Sequence, residues 1–319
     1  MIVAKIVWKG PDNLMETREK DLLFKIADLH EIPQGAYNLR KNGEGVQRHS
    51  SANIEIKPKE DKPGIDIIVK PGTRGESVHI PVIITAEGLS DLVYNTFYIG
   101  ENADVLIVAG CGIHNPGTKK SQHDGIHNFI IAKGAHVKYV EKHYGEGEGT
   151  GEKILNPQTN IELAEGASAE MEMVQIRGVD STKRVTKAVL GREAHLVITE
   201  RMLTHGQQVA ESDMLIDLEG GDSTVQIISR SVAQEQSKQV FYPRVAGFNK
   251  CRGHVQCDAI IMDQATVRAI PEITAYHADA QLVHEAAIGR IAGEQIIKLM
   301  TLGLSAKEAE ETILQGFMK

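Results

Sequence analysis

The sequence predicts a mainly β protein in which short strands wind into a parallel β-helix, with short helical segments at both ends. Three observations lead to this prediction: short Ile/Val-rich runs from about residue 65, glycine-containing turns between them, and a regular recurrence of those turns. The chain has 30 glycines but only six Phe and one Trp, so aliphatic side chains must fill the core. That composition is typical of many short strands joined by tight turns.

The turns recur at a nearly constant spacing. Four of them place an alanine after Gly or Gly-x-x, at Ala103, Ala135, Ala167 and Ala194, and these alanines are separated by 32, 32 and 27 residues. A repeat of this length with two or more strands cannot bury its apolar face alone, so neighbouring coils must stack. A β-propeller and a β-sandwich are the rival folds, but propeller blades are longer and more aromatic, and sandwiches lack such regularity.

The N-terminal region is predicted to begin with a helix over residues 14–29. Its apolar positions can share one helical face, and they are Leu14, Leu22, Leu23, Ile26 and Leu29. Residues 33–64 are rich in Gly, Pro and charge, which indicates a loop or an irregular segment.

Two helices are predicted at the C-terminal end, over Glu285–Leu302 and Ser305–Phe317. Ser305 and Glu308 have the spacing of a capping box, and Gly303 suits the end of the preceding helix. The chain therefore divides into an N-terminal segment (1–64), a β-helix core (65–284) and a C-terminal helical segment (285–319).

Composition excludes several classes of partner. The net charge of −8 argues against nucleic acid or an anionic membrane, and no apolar run approaches the ~20 residues of a membrane span. Three cysteines, an odd number, do not indicate a disulfide framework, and residues 1–5 lack a signal-peptide pattern. We therefore expect a cytoplasmic protein.

Chemically reactive residues concentrate near the C-terminal end. Cys257 lies in a strand-like stretch, and Cys251 precedes it by an even number of positions, which places both on one face of a strand. Cysteines in such a stretch are often simply buried in the core. His284 could be a hydrogen-bonded histidine at a helix start, and Glu285 a carboxylate favoured by the helix dipole.

The order of motifs resembles the C-terminal core of the SufB/SufD family of iron–sulfur cluster assembly scaffolds, over roughly residues 90–319. The motifs are Gln256-Cys257-Asp258, Ile270-Pro271-Glu272, His284-Glu285-Ala286 and Gly289-Arg290-Ile291. The resemblance implies a right-handed β-helix and a non-enzymatic scaffold that handles a transient iron–sulfur cluster. Val283 stands where SufB members tend to have Glu, so the chain mixes SufB-like and SufD-like features.

The resemblance also implies roles for individual residues. Cys257 corresponds to a sulfur acceptor or cluster ligand, and His284 and Glu285 to groups that hold iron, with either protomer of a dimer contributing. Glu272 corresponds to a family glutamate that is displaced here relative to the proline. Cys251 is a further candidate for the same site, not from the resemblance but because its even spacing from Cys257 places both on one strand face.

Partners follow from the same resemblance. The C-terminal helices, with Glu294, Gln295 and Leu299, correspond to the surface that docks a SufC-type ABC ATPase. A second copy of the chain or a SufB/SufD paralogue would pair with the β-helix, and a separate protein would donate sulfur. We expect a homodimer flanked by two ATPase subunits, and a reduced flavin is a further candidate component of the complex.

A second group of reactive residues offers an alternative function. Cys111 and His114, followed by His123 and His127, have spacings compatible with a Zn or Fe site, so a metal-dependent enzyme is one alternative. A purely structural β-helix module is the other. The glycine-rich stretch 146–151 lacks the Gly-Lys-Ser/Thr ending of a phosphate loop, so ATP hydrolysis is expected from a partner.

Overall fold

The structure, a computed structural model, describes residues 17–29, 33 and 35–318. It confirms the predicted mainly β fold: a β-solenoid of about 8 turns, with a helix before it and short helices after it. The elements in chain order are α1 (Thr17–Ala27), β1 (Ala36–Lys41), β2 (Glu44–His49), β3 (Ile54–Pro58), β4 (Gly64–Val69), β5 (Arg74–Ile84), β6 (Ser90–Ile99), β7 (Asp104–His114), β8 (Ser121–Ile131), β9 (His136–Glu146), β10 (Lys153–Leu155), β11 (Gln158–Leu163), β12 (Ser168–Arg177), β13 (Ser181–Leu190), β14 (His195–Thr204), β15 (Val209–Leu218), β16 (Ser223–Ala233), β17 (Lys238–Gly247), β18 (Cys251–Ile261), β19 (Thr266–Ala269), β20 (Glu272–Ala275), β21 (Gln281–Gly289), α2 (Gly293–Met300) and α3 (Ala306–Phe317).

Two sheets form the walls of the solenoid. The first sheet has the order β2-β1-β5-β7-β9-β12-β14-β16-β18-β21, and the second has the order β19-β17-β15-β13-β10-β8-β6-β4-β3. Strand β11 pairs with β8 and β13, and β20 pairs with β17. Pairing is parallel along the solenoid and antiparallel only in the hairpins β1–β2 and β3–β4 at its N-terminal end.

The predicted repeat matches the strand register. Asp104, His136, Ser168 and His195 are paired in succession, and each follows one of the four repeat alanines. Those alanines are buried, because a small side chain is required where the backbone turns into the coil. The residue before each alanine has a positive φ, as at Asn102 and Gly134, which suits Asn and Gly.

Alternation along the strands builds the core. Every second side chain points into the solenoid, and most of these are Ile, Val, Leu, Ala or Met. Phe97 stacks on Phe129 with ring centroids 4.3 Å apart, and Tyr139 meets Phe129 edge-on at 5.0 Å. Each fully buried aliphatic side chain stabilises the fold by about 1.5–3 kcal/mol.

Helix α1 covers the outer face of the first sheet at β5, β7 and β9. Leu22, Leu23 and Ile26 are buried there, as predicted, whereas Leu14 lies outside the described residues. The helix approaches so closely that a Cβ on Gly110 would lie 2.5 Å from the Ile26 carbonyl oxygen, so only glycine fits at that position. No helix in the described part of the chain is long and apolar enough to cross a membrane.

Two local predictions were wrong. Residues 33–64 are not irregular, because they contain β1 to β3 and the start of β4. Asn42 and Gly43 both have positive φ and form the hairpin turn between β1 and β2, which is the signal that the Asn-Gly pair carries.

The second error concerns the predicted helix from Glu285. Residues 281–289 form strand β21, which pairs in parallel with β18, and α2 begins only at Gly293. The helical spacing of apolar residues there is overridden by backbone pairing with the preceding coil. The final helix is confirmed: Ser305 and Glu308 form a capping box before α3, and Gly303 has a φ of +98°.

Candidate functional site

Cys257 and His284 meet inside the last coil of the solenoid. Strand β18 carries Cys257 and β21 carries His284, with Val255 paired to His284 and Cys257 paired to Ala286. Both side chains point to the interior face, and Cys257 Sγ lies 3.4 Å from His284 Nε2. Cys257 is only 4 % exposed, whereas His284 is partly accessible because no further coil of the described chain covers β21.

Burial keeps this pair uncharged. It raises the pKa of the Cys257 thiol to about 12, and a negative charge on Asp258, or on Glu200 when that group is ionised, adds to the effect. Burial also lowers the pKa of His284, although Glu285 opposes that shift. At neutral pH the contact is therefore a thiol S–H donating to a neutral imidazole. The nucleophilic thiolate forms only when something stabilises its charge.

Glu285 lies on the other face of β21, although it follows His284 directly. Its Oε1 is 3.0 Å from Nε2 of His254, which is on the outer face of β18. Both side chains are solvent-exposed. Within one chain, therefore, the thiol–imidazole pair and this imidazole–carboxylate pair are separated by the sheet.

Cys251 and Glu272 lie apart from Cys257. Cys251 shares the interior face of β18, as the even spacing predicts, but six residues of strand separate the two thiols by about 20 Å. Glu272 is on β20 in the second sheet, where its Oε2 accepts a hydrogen bond of 3.1 Å from the Tyr242 hydroxyl. Neither residue is brought to the Cys257–His284 pair.

The structure brings together only part of the second predicted group, which consists of Cys111, His114, His123 and His127. Cys111, His123 and His127 line one narrow interior cavity together with Glu141 and His143. His114 is not among the cavity's lining residues, and Arg18 Nη1 lies 3.1 Å from its Nε2. Sequence reasoning missed Glu141, because a buried carboxylate looks like any other strand residue until its partners are known.

A buried cation already occupies the centre of this region. Arg184 Nη1 donates to Glu141 Oε2 at 2.5 Å, and Arg184 Nη2 lies 3.4 Å from His143 Nδ1. The Tyr139 hydroxyl donates to Glu141 Oε1 at 2.9 Å and lies 2.7 Å from His127 Nδ1. Across the described residues, no group of three or more His, Cys, Asp and Glu side chains is arranged to hold a metal ion.

The electrostatics of the cluster agree with this arrangement. Burial lowers the pKa of His127 to about 4 and that of His143 to about 3, so both rings are neutral at pH 7. Burial alone would raise the pKa of Glu141, but Arg184 and the two histidines outweigh it and lower that pKa. The geometry therefore favours an internal ion pair over the metal-dependent enzyme centre considered from the sequence.

The C-terminal helices border a cleft beside the Cys257–His284 pair. Gln295 of α2 and Ile313 and Phe317 of α3 line this cleft together with Asp258 and Glu285 of the last strands. None of the α2 residues is buried. The helix that carries Glu294, Gln295 and Leu299 is therefore available on the surface of this chain.

The fold and the Cys257–His284 pair together define the class of protein, which is a β-solenoid with a thiol–imidazole pair at its open end. The family model described as "SUF system FeS cluster assembly, SufBD core domain" matches residues 82–317. The chain belongs to this family of iron–sulfur cluster assembly proteins. Family members are assembly components and not classical enzymes.

Named relatives agree with this membership. An "iron-sulfur cluster assembly SufBD family protein" of Archaeoglobus fulgidus is 29% identical over 250 residues, which cover 77% of this chain and 66% of the relative. A protein of the same description from Methanothermobacter thermautotrophicus is 26% identical, with 80% of this chain and 62% of the relative covered. The "iron-sulfur cluster assembly protein SufB" of Bacillus subtilis is 25% identical, over 74% of this chain and 50% of its own length. The chain thus spans between half and two thirds of these relatives.

Proposed function

We propose that the protein is a scaffold subunit of a SUF-type assembly complex, in which Cys257 accepts sulfur. The observation that carries this proposal is the 3.4 Å contact between Cys257 Sγ and His284 Nε2 at the end of the solenoid. A thiol beside a neutral imidazole has a base within reach, which is the arrangement that activates a cysteine nucleophile.

Sulfur transfer would proceed by exchange at a persulfide. The Cys257 S–H bond breaks and its proton moves to His284 Nε2. The thiolate then attacks the terminal sulfur of a persulfide on the donor protein, so an S–S bond forms at Cys257 Sγ and the donor cysteine leaves as a thiolate. No oxidant is consumed, because the persulfide already carries sulfur at the required oxidation level.

Iron is the second substrate of the proposed scaffold. Imidazole and carboxylate are both suitable iron ligands, and His284 and Glu285 would offer them. Because these two side chains face opposite sides of β21, iron held close to sulfur by both types of ligand needs contributions from two chains. This favours assembly of the cluster between protomers and not within one.

The open end of the solenoid supports a second copy or a paralogue as the partner. The N-terminal end is closed by the β1–β2 and β3–β4 hairpins, whereas β21 has an unpaired edge within the described chain. Ile273, Val283 and Ile288 are exposed there. A long unpaired edge with apolar side chains is usually covered in a functional assembly.

The C-terminal helices are proposed to dock an ABC ATPase of the SufC type, which would hydrolyse ATP for the complex. Ile297 and Leu302 are strongly exposed beside the proposed contact residues Glu294, Gln295 and Leu299.

The proposal includes the division of the chain into segments 1–64, 65–284 and 285–319. We place the complex in the cytoplasm, where its three free cysteines would stay reduced. A flavin is not part of the proposed complex.

Anaerobic reconstitution tests the proposal. The protein is incubated with iron, sulfide and the cognate ATPase, and bound iron, bound sulfide and visible charge-transfer absorbance are measured. We expect the wild type and Cys251→Ser to hold a labile cluster and Cys257→Ser to hold none. Equal clusters in all three proteins would place the site elsewhere, and the absence of any cluster or ATPase binding in all three would refute the scaffold function.

A further inference from the structure

The interior of the solenoid contains a second buried carboxylate, on a rung between the ion pair and Cys257. Glu200 of β14 is 2 % exposed. Its Oε1 accepts a hydrogen bond of 2.9 Å from the Ser212 hydroxyl and lies 3.4 Å from Arg184 Nε. Its Oε2 is also buried, and no group of the described residues makes a hydrogen bond to it in this structure, although the Ser229 hydroxyl is near enough to influence the pKa of Glu200.

The balance of buried charges determines the protonation state of Glu200. Glu141 and Glu200 share a single buried cation, Arg184, and the shorter contact goes to Glu141. Two ionised carboxylates would leave a net negative charge inside the protein, which is costly in a medium of low polarity. The protonation state of lowest free energy therefore has Glu141 ionised and Glu200 protonated, with the proton on Oε2 of Glu200.

The directions of the two pKa shifts agree with this assignment. Burial raises the pKa of Glu200 above its ordinary value, with Glu141 contributing in the same direction, and the opposing effects of Arg184, Ser212 and Ser229 do not reverse the shift. The pKa of Glu141 moves the opposite way. When the environments of two nearby carboxyl groups shift their pKa values in opposite directions, one group stays protonated and the other is ionised.

The strand register connects Glu200 to the sulfur site. Glu200 pairs with Ser229 on β16, and Ser229 pairs with Cys257 on β18, so the three side chains form one interior row. Adjacent strands are about 4.8 Å apart, which puts the Ser229 hydroxyl between the carboxyl group and the thiol. Within the described part of the chain, the charged groups that act on Glu200 are Arg184 and Glu141.

We propose that Glu200 is a positioning residue for Cys257: it holds a proton at Oε2, donates that hydrogen to Ser229, and thereby directs the Ser229 hydroxyl toward sulfur. A neutral Glu200 leaves the thiol without an opposing buried charge. An oriented Ser229 hydroxyl stabilises anionic sulfur at Cys257, whether thiolate or persulfide. The meaning of this arrangement rests on the proposed function, but the proton on Glu200 can be tested without any cluster chemistry.

Infrared difference spectroscopy tests the proton directly. The spectrum of Glu200→Gln is subtracted from that of the wild type at pH 7, in water and in heavy water, with the exposed Glu211→Gln as the control. We expect a carboxylic-acid carbonyl band that shifts in heavy water, disappears in Glu200→Gln and persists in Glu211→Gln. No such band in the wild type means that Glu200 is ionised, and the proposal fails.

The link to sulfur is tested by the alkylation rate of Cys257 in the metal-free protein, followed peptide by peptide by mass spectrometry. Glu200→Gln replaces one neutral group by another, so the rate at pH 7 should stay within about twofold of wild type, whereas a rise of about tenfold would show that a charge had been removed. Ser229→Ala should slow alkylation by about tenfold, because a hydrogen bond to the reacting thiolate is lost.

Ser231→Ala is the matched control, since Ser231 is also buried on the interior face of β16 but pairs with Ala259. Equal rates in the Ser229 and Ser231 variants would overturn the connection to Cys257 even if the carboxylic-acid band is present. Neither measurement uses iron, sulfide or ATPase, so failure here is distinguishable from failure of the scaffold function.

Discussion

His284 and Glu285 are consecutive in the sequence but lie on opposite faces of strand β21. His284 contacts Cys257 inside the solenoid, and Glu285 contacts His254 outside it. The side-chain period of two in a strand enforces this separation. It gives the end of the molecule an interior thiol–imidazole pair and an exterior imidazole–carboxylate pair, and it bears on how two chains could share a cluster site.

The first prediction concerns the pH dependence of Cys257. Because its pKa is raised to about 12, alkylation in the isolated chain should be slow at pH 7 and should still be increasing at pH 10. A raised thiol pKa stabilises the fold fully below the unfolded thiol pKa, about 8.5, and this contribution is lost as the pH rises toward 12. Stopped-flow alkylation and urea unfolding between pH 7 and 10 measure both effects, and a thiol that is fully reactive at pH 7 would contradict the prediction.

The second prediction tests His284 as the base for Cys257. His284→Gln keeps a polar side chain but removes the imidazole base, and we expect persulfide transfer to Cys257 to slow by about 10²-fold. His254→Gln on the outer face is the control and should leave the rate within about twofold of wild type. Mass spectrometry of the Cys257 peptide after exposure to a persulfide donor gives the rates. Equal rates in both variants would remove His284 from the transfer step.

The third prediction concerns the buried ion pair. Arg184→Met leaves Glu141 without its cation, and we expect unfolding to require about 3–5 kcal/mol less free energy than in the wild type. Combining it with Glu141→Gln should restore a large part of that loss, because the uncompensated charge is removed. Urea unfolding of the two variants measures the difference. A double variant no more stable than Arg184→Met would show that the cost comes from packing.

The fourth prediction concerns the open end. Ile288→Lys puts a charge on an exposed apolar position of β21 and should shift the chain toward monomer, weakening self-association by at least about tenfold. Val46→Lys is the control, because Val46 is similarly exposed, at 37 % against 40 %, but lies on β2 at the closed end. Sedimentation over a concentration series measures both variants. Unchanged association of Ile288→Lys would place the interface elsewhere.

Much of the fold was predictable because it repeats. Each coil must turn at the same place, so small residues such as Ala135 and Ala167 recur at the coil spacing and reveal the solenoid without any contact being known. The capping box of α3 was equally local, since Ser305 and Glu308 stabilise each other across one helical turn. Interactions between residues within one helical turn, and residue choices that recur once per coil, can be predicted from the sequence alone.

The site was only partly predictable. The even spacing of Cys251 and Cys257 correctly placed both on one face, but only the pairing of β18 with β21 determines that His284 contacts Cys257 and not Cys251. The predicted helix at Glu285 failed because the sequence was read by its local periodicity, whereas pairing with β18 decided the conformation. That pairing also decided on which face each site residue lies.

By itself, the sequence determined the repeating architecture and the residues with reactive side chains, because turn geometry and chemical type are properties of short segments. Only the tertiary structure decided that His284 reaches Cys257, that Arg184 neutralises Glu141, and that Glu200 shares the same cation. These contacts join residues 16 to 43 positions apart, and the contacts of Arg184 with the two glutamates join opposite sheets. They depend on the register in which whole coils stack, which is set by the packing of the entire core.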